Sequence, residues 1–452
     1  MLILKFLLGL AGLGIVVLVH ELGHFLVARL AGIRVTAFSI GWGPPAFHKT
    51  VNGVDYRLGV FPVGGYCKMQ GEGEFQKAWE ESRQGIKPER GTFYGESPQR
   101  RMAAVAAGPL FNLIFAMLVF SVLAALGSEY KTLPSRIVLA HDITGEHYPA
   151  DRAGLVSGDL ITAINGKKIE TYHEAQEIIS LNAKKTLRFT VLRDGTEHTV
   201  MIEPELETDT GAGKIGVYFW NDPVIAAIDK NGAAAQAGLL PGDRIVEWDG
   251  QPFPYTAALS KIYGEGVVMP PSIPLAYERA GERRETVLNV QPDAKAPIGI
   301  TWEHIVHKTP PAQPFAAIAA GTGRAISMFA VSARGLTMLF RGVKASKALS
   351  GPVRISYMLG DTATEGFMRN PGNAIRAFFE FIALISIALA LMNLLPLPIL
   401  DGGLLLIFLA ELLLRRPVHP RFFTAFQMAG VLIIGGIMLI AMYADIMFFV
   451  KR

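Results

Sequence analysis

His20, Glu21 and His24 form the pattern H-E-x-x-H inside "VLVHELGHFLVARL", a stretch otherwise dominated by apolar residues. On a helix, residues four apart lie one above the other. Both imidazoles can therefore reach one metal ion, with the glutamate beside them free to handle a water proton. Ionisable groups at bilayer depth cost about 2.5–3.5 kcal/mol each on insertion scales, and those retained are functional by default. The alternative is a polar contact between packed helices. Catalytic zinc usually takes three protein ligands and keeps a fourth place for water, so one ligand remains to be found. The best donor elsewhere is Asp401 in "NLLPLPILDGG". Two prolines there stop the preceding helix, and Gly402 and Gly403 let the chain approach a neighbour closely. A helix N-cap for Gly402 onward is the other use of that carboxylate.

These residues need a scaffold that holds them at one depth. Half of the 452 residues are hydrophobic and the mean hydropathy is +0.32, which indicates an integral membrane protein with a polar insert. The net charge of +4 comes without a long basic block, so nucleic acid is not an expected partner. The single cysteine, Cys67, excludes an intrachain disulfide and reads as a small buried hydrophobe. Four stretches are long enough to span a bilayer: Leu4–Leu30, Met102–Leu126, Ala374–Leu395 and Phe422–Val450. The first has too long an apolar run for a signal peptide and no small-residue cleavage site ahead of the histidines, so it is expected to be retained.

Basic residues set the orientation. Arg29 and Arg34 follow the first span, Arg100 and Arg101 precede the second, and Arg415, Arg416 and Arg421 lie between the third and fourth. Only Lys5 precedes the first. Both connections are thus expected on the cytoplasmic side, with the two termini and the long middle segment outside. Arg369, Arg376, Lys451 and Arg452 weigh in the opposite direction. This orientation puts His20, His24 and Asp401 at similar depth, towards the cytoplasm.

The middle segment contains a repeat: "AGLVSGDLITAINGKKI" begins at Ala153 and "AGLLPGDRIVEWDGQPF" at Ala237, an offset of 84 residues. Gly154, Gly158, Asp159 and Gly166 recur as Gly238, Gly242, Asp243 and Gly250. Each copy predicts a turn, a strand and an Asn-Gly or Asp-Gly hairpin, with alternating strands following. The pattern resembles PDZ domains of the circularly permuted bacterial type, which take up peptide ends at a sheet edge. A role as steric covers without peptide ligands is equally open. "KIGVYF" (Lys214–Phe219) is a candidate carboxylate loop in the second copy. Further on, Arg334, Arg341 and Lys344 share a helix face opposite Phe329, Leu336 and Met338. That suits a helix on the membrane surface or packed on the repeats.

"HELGH" in a first span, "NLLPLPILDGG" near the third and tandem PDZ-like repeats between them resemble the site-2 protease family of intramembrane zinc metalloproteases. The resemblance covers nearly the whole chain. It implies a multi-pass α-helical membrane protein with four transmembrane helices and two tandem PDZ-like β-rich domains inserted between the second and third spans. The expected divisions are 1–127, 128–212, 213–300, 301–370 and 371–452: first membrane half, two PDZ-like domains, amphipathic region and second membrane half. The resemblance further implies Zn²⁺ on His20, His24 and Asp401, Glu21 as catalytic base, and Asn393 in substrate contact. Gly108, Pro109 and Asn112 of "GPLFN" match a family motif, as does "PVGGYCKM". "SIGWGPP" matches a reentrant β-loop beside the active site, where the family's usual aromatic is phenylalanine and this chain has Trp42. Gly41, Trp42 and Gly43, with Gly64, Gly65 and Tyr66, are the expected substrate-contacting residues. By the same resemblance, the substrate is a single-span membrane protein such as a trimmed anti-sigma factor or a signal-peptide remnant, cut in the inner membrane, with the PDZ pair on the periplasmic side as a size filter. Two rival readings are a membrane scaffold with a structural metal and an ion transporter. A structural site has no use for the carboxylate of Glu21, and the chain lacks the paired broken helices of transporters.

Overall fold

The apolar runs fold as helices, the one way a single segment can satisfy its own backbone hydrogen bonds in lipid. The computed structural model describes residues 2–81, 89–207, 211–263, 269–290, 298–339, 354–360 and 371–450. Its long helices are α1 (Leu2–Leu30), α2 (Pro98–Ala125), α3 (Pro314–Leu339), α4 (Pro371–Leu394), α5 (Asp401–Leu414) and α6 (Pro420–Val450). Contacts divide the chain into two units, Met1–Ser128 with Thr309–Arg452, and Glu129–Lys308.

In the first unit, small residues set the helix spacing. A side chain at Gly23, between the two histidines on α1, would run into Ala107 and Phe111 of α2. Among the described residues five helices, α1, α2, α3, α4 and α6, are long and apolar enough to cross a membrane, against the four expected. The fifth, α3, buries Ala317, Gly321 and Ala325 at every fourth residue, with Gly321 against Ser121 of α2. That seam is made of alanine and glycine, which a search for large apolar residues passes over. Arg341 and Lys344 lie outside the described residues. Both α3 and α4 set out from the C-terminal end of α2: Ala312 N–H donates to Ala124 O, and Arg376 donates to Leu123 O and Gly127 O. Residues 354–360 are helical and lie against Gly9 and Gly12 in the N-terminal half of α1.

Between α1 and α2, β1 (Val35–Val51) and β2 (Val54–Met69) form a hairpin that doubles back on itself. Residues 37–40 pair with 65–68 on one side and with 55–58 on the other. The run 65–69 therefore has a described neighbour on one side only. Gly41, Gly43 and Gly64 occupy the two bends with φ of 83°, 93° and 80°, a region that favours glycine.

The second unit repeats one architecture. Strands Lys167–Lys168, Leu160–Ile164, Leu187–Arg193 and Thr196–Ile202 lie in that order, and Gln251–Pro252, Arg244–Trp248, Ser272–Arg279 and Glu282–Asn289 repeat it. The hairpin turns have φ of 51° and 81° at Asn165-Gly166 and 52° and 71° at Asp249-Gly250, as their types demand. Each module closes with a further strand: Val217–Phe219 pairs with Ile137–Leu139, and Ile300–Trp302 with Ile225–Ile228. "KIGVYF" thus completes the first module, where Ile215 is buried in the core, rather than opening the second. The expected seam at 212/213 falls before that strand. Its counterpart in the second module is "IGITW" (298–302), 83 residues further on.

The repeated Gly-Asp has a physical cause. Asp159 accepts the Val156 N–H at 3.0 Å and a two-pronged contact from Arg193 at 2.7 and 2.8 Å. Asp243 accepts the Leu240 N–H at 2.7 Å and both prongs of Arg279 at 2.7 Å. Burial pushes the Asp243 carboxyl up, but the Arg279 fork and the Leu240 N–H outweigh it and hold it below the ordinary carboxylate range. A lowered pKa means the contribution is complete above the unfolded carboxylate pKa and disappears as pH falls through the folded value. Asp243→Ala should lower the calorimetric unfolding midpoint of this module by roughly 10 °C at neutral pH. The difference from the parent should shrink on acidification.

Candidate metal centre

Four segments from distant parts of the chain meet here. His20 and His24 stand one turn apart on α1, with Nε2 atoms 3.2 Å from each other and rings edge to face at 85°. Asp401 Oδ2 lies 3.3 Å from His20 Nε2 and 3.6 Å from His24 Nε2. It is buried with no hydrogen-bond partner in the protein. Asp401 does not cap its helix: the N-cap is Leu400, and Asp401 is the first helical residue. Four donors at ordinary zinc distances of about 2.0–2.1 Å stand roughly 3.3 Å apart in a tetrahedron. The spacings of 3.2, 3.3 and 3.6 Å match the edges of one face of that figure. The donor set therefore fits zinc.

Neighbours turn each ligand inward. His24 Nδ1–H donates to Ala104 O at 2.9 Å, which leaves its Nε2 lone pair free. The Asn112 carboxamide meets His20 Nδ1 at 3.2 Å, while its own Oδ1 has no partner. With the oxygen toward the ring it accepts the Nδ1–H, and the Nε2 of His20 carries the lone pair on the side of Asp401. Gly108 lies between these two α2 residues, and a Cβ there would come within 2.6 Å of His24 Cε1 and 2.8 Å of His20 Cε1. Ser386 on α4 donates to Asn112 O at 2.9 Å. Behind Asp401 the chain turns sharply through 395–400, where Ile399 has φ 74°. A β-branched residue in that region costs about 1–3 kcal/mol and persists only where its surroundings impose it. Side chains at Gly402 and Gly403 would meet the carbonyls of Leu395 and Leu397, so only glycine lets α5 fold back onto the turn.

A cavity of about 480 Å³ opens beside the three donors. Glu21 lines it, half-buried, and its carboxylate accepts the Cys67 N–H from the open strand run. Asn393 reaches in with Nδ2 3.3 Å from His20 Nε2. Of the expected contact residues, Gly64, Gly65 and Tyr66 line this cavity, whereas Gly41, Trp42 and Gly43 do not. Those three occupy the outer bend, with the Trp42 indole lying over Gly64 and its side chain more than half exposed. The contact at Ala104 carried no motif of its own, because a backbone carbonyl can be presented by any residue type.

A model of the family described as "Peptidase family M50" matches residues 8–437. This chain belongs to peptidase family M50. A protein of Treponema pallidum, provisionally named a zinc metalloprotease, is 37% identical over 449 residues, covering 98% of this chain and 99% of its own length. A similarly named protein of Xylella fastidiosa is 31% identical over 461 residues, covering 96% of each chain. The regulator of sigma E protease of Salmonella typhi is 28% identical over 461 residues, again covering 96% of both. Like other M50 peptidases, it is a zinc-dependent membrane metalloprotease of the site-2 protease type. Its apolar helices make it an integral membrane protein.

Proposed function

We propose that this M50 peptidase cuts single-span membrane proteins within their transmembrane segment, with zinc held by His20, His24 and Asp401. The observation that carries this is the convergence of three donors at 3.2–3.6 Å beside a cavity that also admits Glu21 and Asn393. When bound, zinc supplies Lewis-acid polarisation of a carbonyl and acidifies water. Glu21 takes the water proton and later delivers it to the leaving nitrogen. Asn393, with two amide donors, holds the substrate backbone or the developing oxyanion. A peptide bond inside a helix is shielded by its own hydrogen bonds, so the substrate must unwind. The open edge at Gly65–Met69 offers the unwound segment a strand to pair with, at the cavity wall.

The topology we infer has four net crossings. α3 and α4 leave from the same end of α2, and residues 354–360 return along the N-terminal half of α1, so α3 adds no net crossing. Both termini and the PDZ-like tandem lie on the outer side of a bacterial inner membrane. The site opens towards the cytoplasm. The tandem acts as a filter that passes substrates whose outer domain has been removed. The sigma E regulators among the relatives favour a trimmed anti-sigma factor as substrate.

The test uses purified full-length protein in detergent. A single-span substrate lacking its outer domain should be cut, a version carrying a folded outer domain spared, and a chelator should stop cleavage until zinc is restored. Cleavage that persists after zinc is measured to be absent would overturn the assignment.

A further inference from the structure

We propose that His141, His147 and Asp151 form a second binding site, for a divalent transition-metal ion such as zinc or cobalt, in the Glu129–Lys308 unit. One ligand atom from each lies within 4.8 Å of the others. Two imidazoles and a carboxylate are the donor set that first-row divalent ions favour.

Each donor has its own reason to be available. His141 sits in the short helix Ala140–Thr144, and its Nδ1 is buried without a hydrogen-bond partner. Buried ring nitrogens are nearly always paired, so an orphan asks for a ligand. Asp151 uses Oδ1 to accept the Tyr148 N–H at 2.6 Å, which aims Oδ2 at the His147 ring. The two imidazoles are stacked, with centroids 4.0 Å apart and planes 17° from parallel. A coordinated ion lies near the plane of each ring, so one ring must turn. His147 is the ring able to do so, since its side chain is 66% exposed and Asp151 is its polar partner.

The fold itself does not require these residues. In the second module Asp229 N–H meets Gly299 O as Ala140 N–H meets Gly216 O, which puts Lys230 in the place of His141, while Asn231 and Ala235 stand in those of His147 and Asp151; that module builds the same sheet order without the three donors. The location gives the site a consequence. Ala140 N–H donates to Gly216 O at 2.8 Å and Ala150 N–H to Ile215 O at 2.9 Å, so residues 140–150 back the "KIGVYF" loop. Tyr148 packs on Gly216, and Lys214 Nζ lies 4.9 Å from its ring. That loop borders a groove of about 830 Å³ walled on the other side by Tyr172, Gln176 and Ile179. An ion joining residues 141, 147 and 151 ties the two ends of the backing segment together and stiffens that wall.

The test is metal uptake by untagged full-length protein in detergent, measured by equilibrium dialysis against cobalt and zinc with elemental analysis. About two ions per chain are expected at saturation. His147→Ala and Asp151→Asn should each raise the midpoint of the weaker one at least about tenfold. Both variants should keep the other ion and the parental cleavage rate. His20→Ala/His24→Ala should lose that other ion and retain the weaker class with its cobalt absorption bands. Failure of the catalytic assignment is thereby told apart from failure of this one. Saturation at one ion per chain, or a weaker class indifferent to both His147→Ala and Asp151→Asn, overturns the proposal.

Discussion

Glu21→Gln should leave zinc bound and lower the cleavage rate by about 10³-fold, within the range for removing a positioned general acid–base. The amide has nearly the shape of the carboxylate, and its oxygen can still accept the Cys67 N–H that Glu21 accepts now. The cavity therefore keeps its walls and the donors their spacing. What disappears is the ability to take a proton from water. Zinc per chain and single-turnover cleavage, measured on the same preparation, separate the two contributions. Loss of zinc together with activity would mean that Glu21 maintains the site rather than the proton. A fall below tenfold would take the base role away from it.

The candidate site was legible because its parts are side chains marked by local sequence patterns. His20 and His24 announce themselves by helical spacing, and Asp401 by prolines and glycines that make no sense in a spanning helix. Both signals are local. What was not legible depends on which backbone faces which. The two glycine bends at 41–43 and 64–66 look alike in sequence, yet only the second reaches the cavity, because residues 37–40 pair inward with 65–68. "KIGVYF" follows the first repeat in sequence and belongs to it in space, since its strand Val217–Phe219 pairs with Ile137–Leu139 at the start of that module. The Gly-Asp recurrence was visible, whereas the arginines that explain it, Arg193 and Arg279, lie 34 and 36 residues further along and have no fixed spacing to the motif.

Arginines also show why topology signals conflict. Arg376 counted against the expected orientation, but its guanidinium is bound to Leu123 O and Gly127 O at the end of α2, with Glu380 3.2 Å away. Helix C-terminal carbonyls attract a cation wherever the helix ends. Such a residue says little about the side on which it sits. Arg101, counted in favour, proves to have a second occupation.

Arg101 is buried near the start of α2 in an ion pair with Glu411 of α5, 2.8 Å long, with side chains 7% and 2% exposed. Its guanidinium lies 4.6 Å from the Phe408 ring and 5.5 Å from that of Tyr94, and the other Glu411 oxygen accepts the Val418 N–H at 3.0 Å. α2 supplies Ala104, Gly108 and Asn112 to the histidines, and α5 begins with Asp401. The pair thus clamps α5, which begins with Asp401, to the helix that packs behind both histidines. Glu411→Leu strands a guanidinium among aromatic rings and should cost about 3 kcal/mol of stability, because breaking one side of a buried pair leaves its partner uncompensated. Zinc should dissociate more readily from this variant, since α5 is no longer tied to α2. Adding Arg101→Met removes the stranded charge and should recover most of the stability, as apolar replacements of buried pairs commonly do. Thermal unfolding and zinc retention under a competing chelator read out the two effects separately. Recovery of stability without recovery of zinc retention would show the ion pair to be a positioning device, because an apolar contact fills the space without fixing the register of α5. If Glu411→Leu alone holds zinc as the parent does, the strained turn at 395–400 suffices to place Asp401, and the clamp has no part in the metal centre.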